Sequence, residues 1–153
     1  MKAHIGVDAE SGLVHRLVGT AASVANVADV TQVDQLLQGE ETYVCGDAGY
    51  TGVETRAEHQ NRTMILSIAA RPSYRKHGKK SLIGRMRRKI EYAKAQVRGK
   101  VEHPFRVIKR QFGYTKIRFR GLSKNIAQQT TLFALSNLWM VRKRLLTAGE
   151  VRL

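Results

Sequence analysis

Between residues 97 and 112, in the run VRGKVEHPFRVIKRQF, two rows of side chains run next to each other in a way that requires a helix. Val97, Val101, Phe105, Ile108 and Phe112 recur at intervals of three and four, the spacing of one apolar helical face. Arg98, Glu102 and Lys109 follow at steps of four and seven, which at about 3.6 residues per turn fall within about 40° of one another. The same count sets this charged row about 80° from the apolar one. A carboxylate between two cations then lies at the rim of a buried seam, where an anion or a metal ion can be held. The spacing alone also admits a plainer reading. Arg–Glu pairs at i,i+4 decorate many solvated helices for about 0.2–0.5 kcal/mol each.

The charge around Glu102 bears on that choice. Residues 71–124 hold 19 Lys and Arg against two carboxylates, Glu91 and Glu102, for a net +17. Residues 1–70 carry a net −5 and residues 125–153 a net +3, so one segment accounts for the overall +15. A segregated basic field of this size predicts a polyanionic partner. Its cations are interleaved with Tyr74, Ile83, Met86, Ile90, Tyr92, Val97 and Phe105, as on a folded surface that tracks a phosphate backbone. A membrane surface would call for a basic amphipathic helix with a broad apolar face. The run RPSYRKHGKKSLIGRMRRK is too polar and too broken for that. Charge alone does not choose between DNA and RNA.

A chain of 153 residues with 42% apolar content is of single-domain size and can bury a real core. Cys45 is the only cysteine, which excludes an internal disulfide and fits a reducing, cytoplasmic compartment. Within YVCG it reads as a small core residue. The five histidines share no ligand spacing with each other or with Cys45, so a zinc site is not expected. No apolar stretch has the length of a membrane span, and no signal pattern opens the chain.

Along the chain, residues 3–9 and 13–19 read as a β-hairpin turning at Glu10-Ser11-Gly12. Asp29 is a plausible N-cap for a helix through Val33, Leu36 and Leu37 that stops at Gly39. A short strand over 42–46 ends at Asp47, followed by the turn Asp47–Gly52, a short helix around Val53–His59 and a strand over 64–69. Residues 73–81 read as a mobile basic loop. A long helix is expected from Leu82 to Phe112, kinked or divided by Pro104. Residues 114–120 alternate as a strand or extended arm, and a last helix spans Asn125–Leu146 with Ile126, Leu132, Phe133, Leu138 and Trp139 toward the core. That order suggests an α/β fold, a mixed sheet with flanking helices. Ligands in such folds gather beyond the carboxyl ends of strands, where Asp47 stands. Taken alone, Asp47 reads as an ordinary turn aspartate.

The runs MKAHIGVDAESGLVH, GDAGYTG and VEHPFRVIKRQFG, with the trailing FRGLSKN, resemble the catalytic domain of bacterial insertion-sequence transposases of the Asp-Asp-Glu type. The resemblance spans nearly the whole chain. It implies an RNase H-like fold, with Asp47 as the second catalytic aspartate and Glu102 as the catalytic glutamate. The family's signature around the glutamate is Tyr-(x2)-Arg-(x3)-Glu-(x6)-Lys. Arg98, Glu102 and Lys109 fit it, whereas the tyrosine position holds Ala95, with Tyr92 three residues earlier. The family's first aspartate lies on a strand ahead of the opening hairpin, and nothing between Met1 and Gly19 matches it; Asp8 leads into the hairpin turn. The chain is therefore expected to be the C-terminal portion of a transposase, lacking the first strand of the sheet.

The resemblance also implies a chemistry. Phosphoryl transfer at DNA is served by two divalent ions about 3.5–4 Å apart, which activate the attacking oxygen and stabilise the leaving one. Mg2+ suits carboxylate-and-water sites, with Mn2+ as a substitute. Asp47 and Glu102 are the implied metal ligands, and Arg98 and Lys109 the implied contacts to phosphate near the reacting bond. Arg75, Lys76, Lys79, Lys80, Arg85, Arg87, Arg88 and Lys89 would hold the duplex without reading its sequence. The implied partners are double-stranded DNA, as transposon ends and target, and either a second copy or an N-terminal transposase polypeptide. Without the first aspartate the chain is expected to be inactive by itself. The alternative class is a catalytically inactive nucleic-acid-binding remnant or regulator of such an element.

Overall fold

Ile, Val and Leu on both sides of a glycine-bearing turn build the first ladder. Strand β1 (Lys2–Val7) pairs antiparallel with β2 (Val14–Thr20), in a register that shifts between Gly6 and Val7. The turn is wider than the Glu-Ser-Gly triplet. The Asp8 N–H donates to the Leu13 carbonyl, and the Gly12 N–H to the Asp8 carbonyl, with Gly12 at φ +74°. Asp8 Oδ1 accepts from both the backbone N–H and the hydroxyl of Ser11. Those bonds hold its carboxyl below the ordinary carboxylate range. Asp8 is thus a hairpin residue.

The computed structural model describes residues 1–21, 29–59, 63–70 and 81–150; the basic loop expected at 73–81 lies outside them but for Ser81. After the hairpin comes a 3₁₀ turn, Asp29–Gln32, which Asp29 opens and which runs into the single-turn helix α1 (Val33–Leu36). Strand β3 (Tyr43–Gly46) lies parallel to β4 (Ile65–Ile68), with Tyr43 opposite Ile65 and Gly46 opposite Ile68. The expected helix around Val53–His59 is instead two 3₁₀ turns, Val53–Thr55 and Ala57–His59. Arg56 between them is extended (φ −77°, ψ 141°), and a turn of that length closes no α-helical ladder. Among the described residues the strands form two two-stranded sheets, one antiparallel and one parallel. The class is mixed α/β, with small sheets and flanking helices.

Helix α2 (Leu82–Arg110) runs through Pro104 without a break, so of the kink or division expected there the division does not occur. The fixed φ of proline is itself helical, so the loss is confined to one donor and one crowded carbonyl. Pro104 is fully buried in the same turn as Val107 and Ile108, and that burial offsets the lost bond. The helix ends two residues short of Phe112. Gly113 at φ +64° turns the chain, and the Tyr114 N–H donates back to the Ile108 carbonyl at 3.1 Å. Residues 115–121 are exposed and form no strand, in contrast to the alternation read there. Asn125 organises this connection: its Nδ2 donates to the carbonyls of Phe119 (2.7 Å) and Gly121 (2.6 Å), and its Oδ1 accepts from the Phe119 N–H (3.3 Å).

The chain forms two compact units, Met1–Val24 with Val101–Leu153, and Ala25–Lys100. In the first, Ile108, Tyr114 and Phe133 make the core, with Ile5, Val14, Leu17, Phe105, Phe112 and Leu132 packed around them. The rings of Phe105 and Phe133 meet edge to face at 5.3 Å. Helix α3 (Leu122–Glu150) buries Asn125, Gln129, Phe133 and Ser136, a stripe that is mostly polar. Two of its amides, Asn125 and Gln129, and one beside it tie α3 to its surroundings. Gln129 Nε2 meets the Tyr114 hydroxyl at 3.2 Å, while Asn137 accepts from the Val14 N–H (3.0 Å) and donates to the Val14 carbonyl (2.8 Å). Leu138, expected in the core, is 57% exposed, and Trp139 lies under the Arg142 guanidinium at 3.7 Å. In the second unit Val33, Leu36, Val53 and Ala69 are buried. No helix among the described residues is long and apolar enough to cross a membrane.

Candidate functional site

Asp47 directly follows β3, so its position is set by the parallel β3–β4 ladder. That ladder is continued at each end by Ile65 N–H to the Thr42 carbonyl and Ala69 N–H to the Gly46 carbonyl, both 2.9 Å. The β3 chain can leave the sheet closely here because Gly46 has no side chain. A Cβ on it would stand 2.8 Å from Ile68 Cδ1. Asp47 is extended (φ −80°, ψ −179°) and caps the 3₁₀ turn Ala48–Tyr50, its Oδ1 accepting the Gly49 N–H at 2.8 Å. The Tyr50 N–H donates to the Asp47 carbonyl at 3.1 Å. The carboxylate is therefore exposed but tied to a defined turn at the carboxyl end of a strand. Cys45, two residues earlier, is half-buried rather than in the core.

Tyr50 reports the electrostatics of this turn. Its burial first, then the negative charges of Asp29 and Asp47, push its phenol from 10.0 up to about 12. Between those two values the unfolded chain gives up this proton and the folded chain keeps it. The contribution to stability is complete below pH 10 and is lost as pH rises toward about 12. Chemical denaturation from pH 9 upward is expected to show that decline in wild type and a shallower one in Tyr50→Phe.

On α2, Arg98, Glu102 and Lys109 are all exposed, while the buried Pro104, Val107 and Ile108 lie on the far side of the helix, about 100–160° from that row. Val97, Val101, Phe105 and Phe112 are half-buried. The charged row thus runs beside a half-buried apolar row, whereas burial is deepest further round the helix, at Pro104 and Val107, which the spacing did not single out. Ala95, at the signature's tyrosine position, is exposed, and so is Tyr92. Asp47 belongs to the unit Ala25–Lys100, and Glu102 to the unit that includes Val101–Leu153.

Of the eight expected duplex contacts, Arg75, Lys76, Lys79 and Lys80 lie outside the described residues. Arg85, Arg87, Arg88 and Lys89 are exposed on the first turns of α2. At about 100° per residue they spread around the helix rather than along one stripe. Glu91, the other carboxylate of the basic segment, has a structural task that spacing did not reveal. Its Oε2 accepts the Ala70 N–H at 3.1 Å and its Oε1 pairs with Lys94 Nζ at 3.3 Å. Lys94 in turn donates to the Ile68 carbonyl at 3.0 Å, so the two side chains bind α2 to the end of β4.

Exposed carboxylates are donors of the kind that hard divalent cations take together with several waters, and in that respect Asp47 and Glu102 fit Mg2+. Among the described residues no group of three or more His, Cys, Asp or Glu side chains is assembled to hold a metal. A protein-family model described as a transposase DDE domain matches residues 1–138, a span that includes both GDAGYTG and VEHPFRVIKRQFG. No solved structure matches the chain.

Proposed function

Because the chain belongs to the transposase DDE-domain family, we propose that it acts on double-stranded DNA, contributing to metal-dependent phosphodiester cleavage and strand transfer. The observation that carries this reading is Asp47, an exposed carboxylate held by its own turn at the carboxyl end of a parallel strand pair. Glu102, exposed between Arg98 and Lys109, is its proposed counterpart.

A pair of Mg2+ ions, when bound, supplies an activated oxygen nucleophile and neutralises charge on the phosphate. Asp47 and Glu102 would hold that metal. The Gly49 N–H, by engaging Asp47 Oδ1, fixes the rotation of the carboxylate before any ion arrives. Arg98 and Lys109 flank Glu102 and bind phosphate oxygens near the scissile bond. Lys109 acts as a point charge, whereas Arg98 can offer two parallel donors. The cations of residues 75–89 track the backbone, which positions the duplex without reading its bases. Transposon ends and target DNA are the partners, with a second copy of the chain or a further transposase polypeptide, and the cytoplasm is the proposed compartment.

Mn2+ titrated into the isotopically labelled chain with duplex DNA tests the metal centre. Paramagnetic broadening is expected to be strongest at Gly49 and at the amides flanking Glu102, over one concentration range. Asp47→Asn and Glu102→Gln should each raise that range on the order of tenfold or more. Broadening at only one carboxylate, or at neither, would overturn the shared centre. DNA binding without any such broadening would favour the inactive nucleic-acid-binding remnant.

A further inference from the structure

Gly49 lies at a point where two carboxylates converge. A Cβ built on it would stand 2.8 Å from Asp29 Oδ2 and 3.0 Å from Asp47 Oδ1. Any side chain at residue 49 would have to displace one of these carboxylates, so glycine lets both stand close to the backbone. Asp29 comes from the 3₁₀ turn Asp29–Gln32, which packs against the turn Ala48–Tyr50. Its sequence role looked like helix capping, yet the structure aims it at the Asp47 turn.

We propose that Asp29 is a positioning residue for Asp47, its carboxylate walling the Gly49 side of the turn and repelling Asp47 from collapsing into that space. The inference rests on the reading of Asp47 as a catalytic carboxylate. Two like charges at one glycine repel each other, and the Gly49 N–H donates to Asp47 Oδ1. Asp47 is thereby drawn to the amide while Asp29 closes the space beside it.

The test compares the full-length wild-type chain with Asp29→Asn and Asp29→Ala by NMR. In wild type a scalar coupling across the hydrogen bond between Gly49 N and Asp47 Cγ is expected. It should weaken or vanish in the variants. The Ala69 amide, in the β3–β4 ladder of the same unit, should keep its position. Loss in Asp29→Ala alone assigns the role to the bulk of the side chain, and loss in both variants assigns it to the charge; either supports the proposal. An unchanged coupling in both variants overturns it, as does a concerted shift of Ala69, which would mean general loosening. Mn2+ broadening at Gly49 that Asp47→Asn abolishes tests the underlying reading separately. Its absence would sink the catalytic assignment and leave the Asp29–Asp47 coupling result unaffected.

Discussion

Affinity for duplex DNA is expected to fall about 10³-fold or more between about 50 and 200 mM salt. The reason is counterion release. Each cation seated on a phosphate frees ions condensed on the duplex, and about six contacts give a slope near −5 in log K against log salt. Residues 71–124 offer 19 cations for those contacts and only two carboxylates against them. Fluorescence anisotropy with a short labelled duplex measures the slope directly. Single Ala substitutions at Arg85, Arg87, Arg88 and Lys89 should each lower it by about one wherever the side chain touches phosphate. These four spread around α2, so the pattern of losses identifies which side of the helix meets DNA. Salt-independent binding would refute an electrostatic interface.

Phe133→Ala should destabilise the unit that contains it by about 3–5 kcal/mol. Phe133 is only 2% exposed, sits at the centre of the Ile108–Tyr114 cluster and makes the edge-to-face contact with Phe105. Its removal leaves a cavity lined by both long helices and forfeits the ring pair as well as the buried area. Against a total stability of about 5–15 kcal/mol for an ordinary domain, that is a large share. Urea denaturation followed by the fluorescence of Trp139, the single tryptophan, gives the number. Leu138→Ala on the same helix is the control, expected to stay within about 0.5 kcal/mol because the side chain is mostly solvated. Equal losses at the two positions would contradict the burial described for α3.

The contrast between Phe133 and Leu138 shows where sequence reasoning reached its limit. On the second half of α2 the periodicity located the exposed row carrying Arg98, Glu102 and Lys109 and part of the apolar side, but not the buried Pro104 and Val107. On α3 apolar side chains occur all the way round, and no period identifies the buried side. On that side Asn125 satisfies the backbone of the preceding connection and Gln129 meets the Tyr114 hydroxyl, while Asn137 beside them serves Val14 of β2. Sequence has no local signal for such long-range tasks. Glu91 and Glu102 likewise look alike in the sequence, each a lone acid among cations. Only the proximity of Ala70 and Lys94 assigns Glu91 to the scaffold. The hairpin and strands β3 and β4 were legible because short runs rich in Ile, Val and Leu are closed by turns. The equally short alternating run 114–120, between Gly113 and Gly121, has no ladder partner among the described residues and forms no strand. The Asp29–Gly49 approach was not, since it joins segments far apart in the chain.

Asn137 has a consequence for how this protein behaves in a crowded solution. By taking both the N–H and the carbonyl of Val14, its amide occupies the backbone groups of that residue as a neighbouring strand would. Backbone groups left open on a two-stranded ribbon are a template for foreign chains. At this rung the template is already filled from within, by a side chain that cannot propagate a ladder.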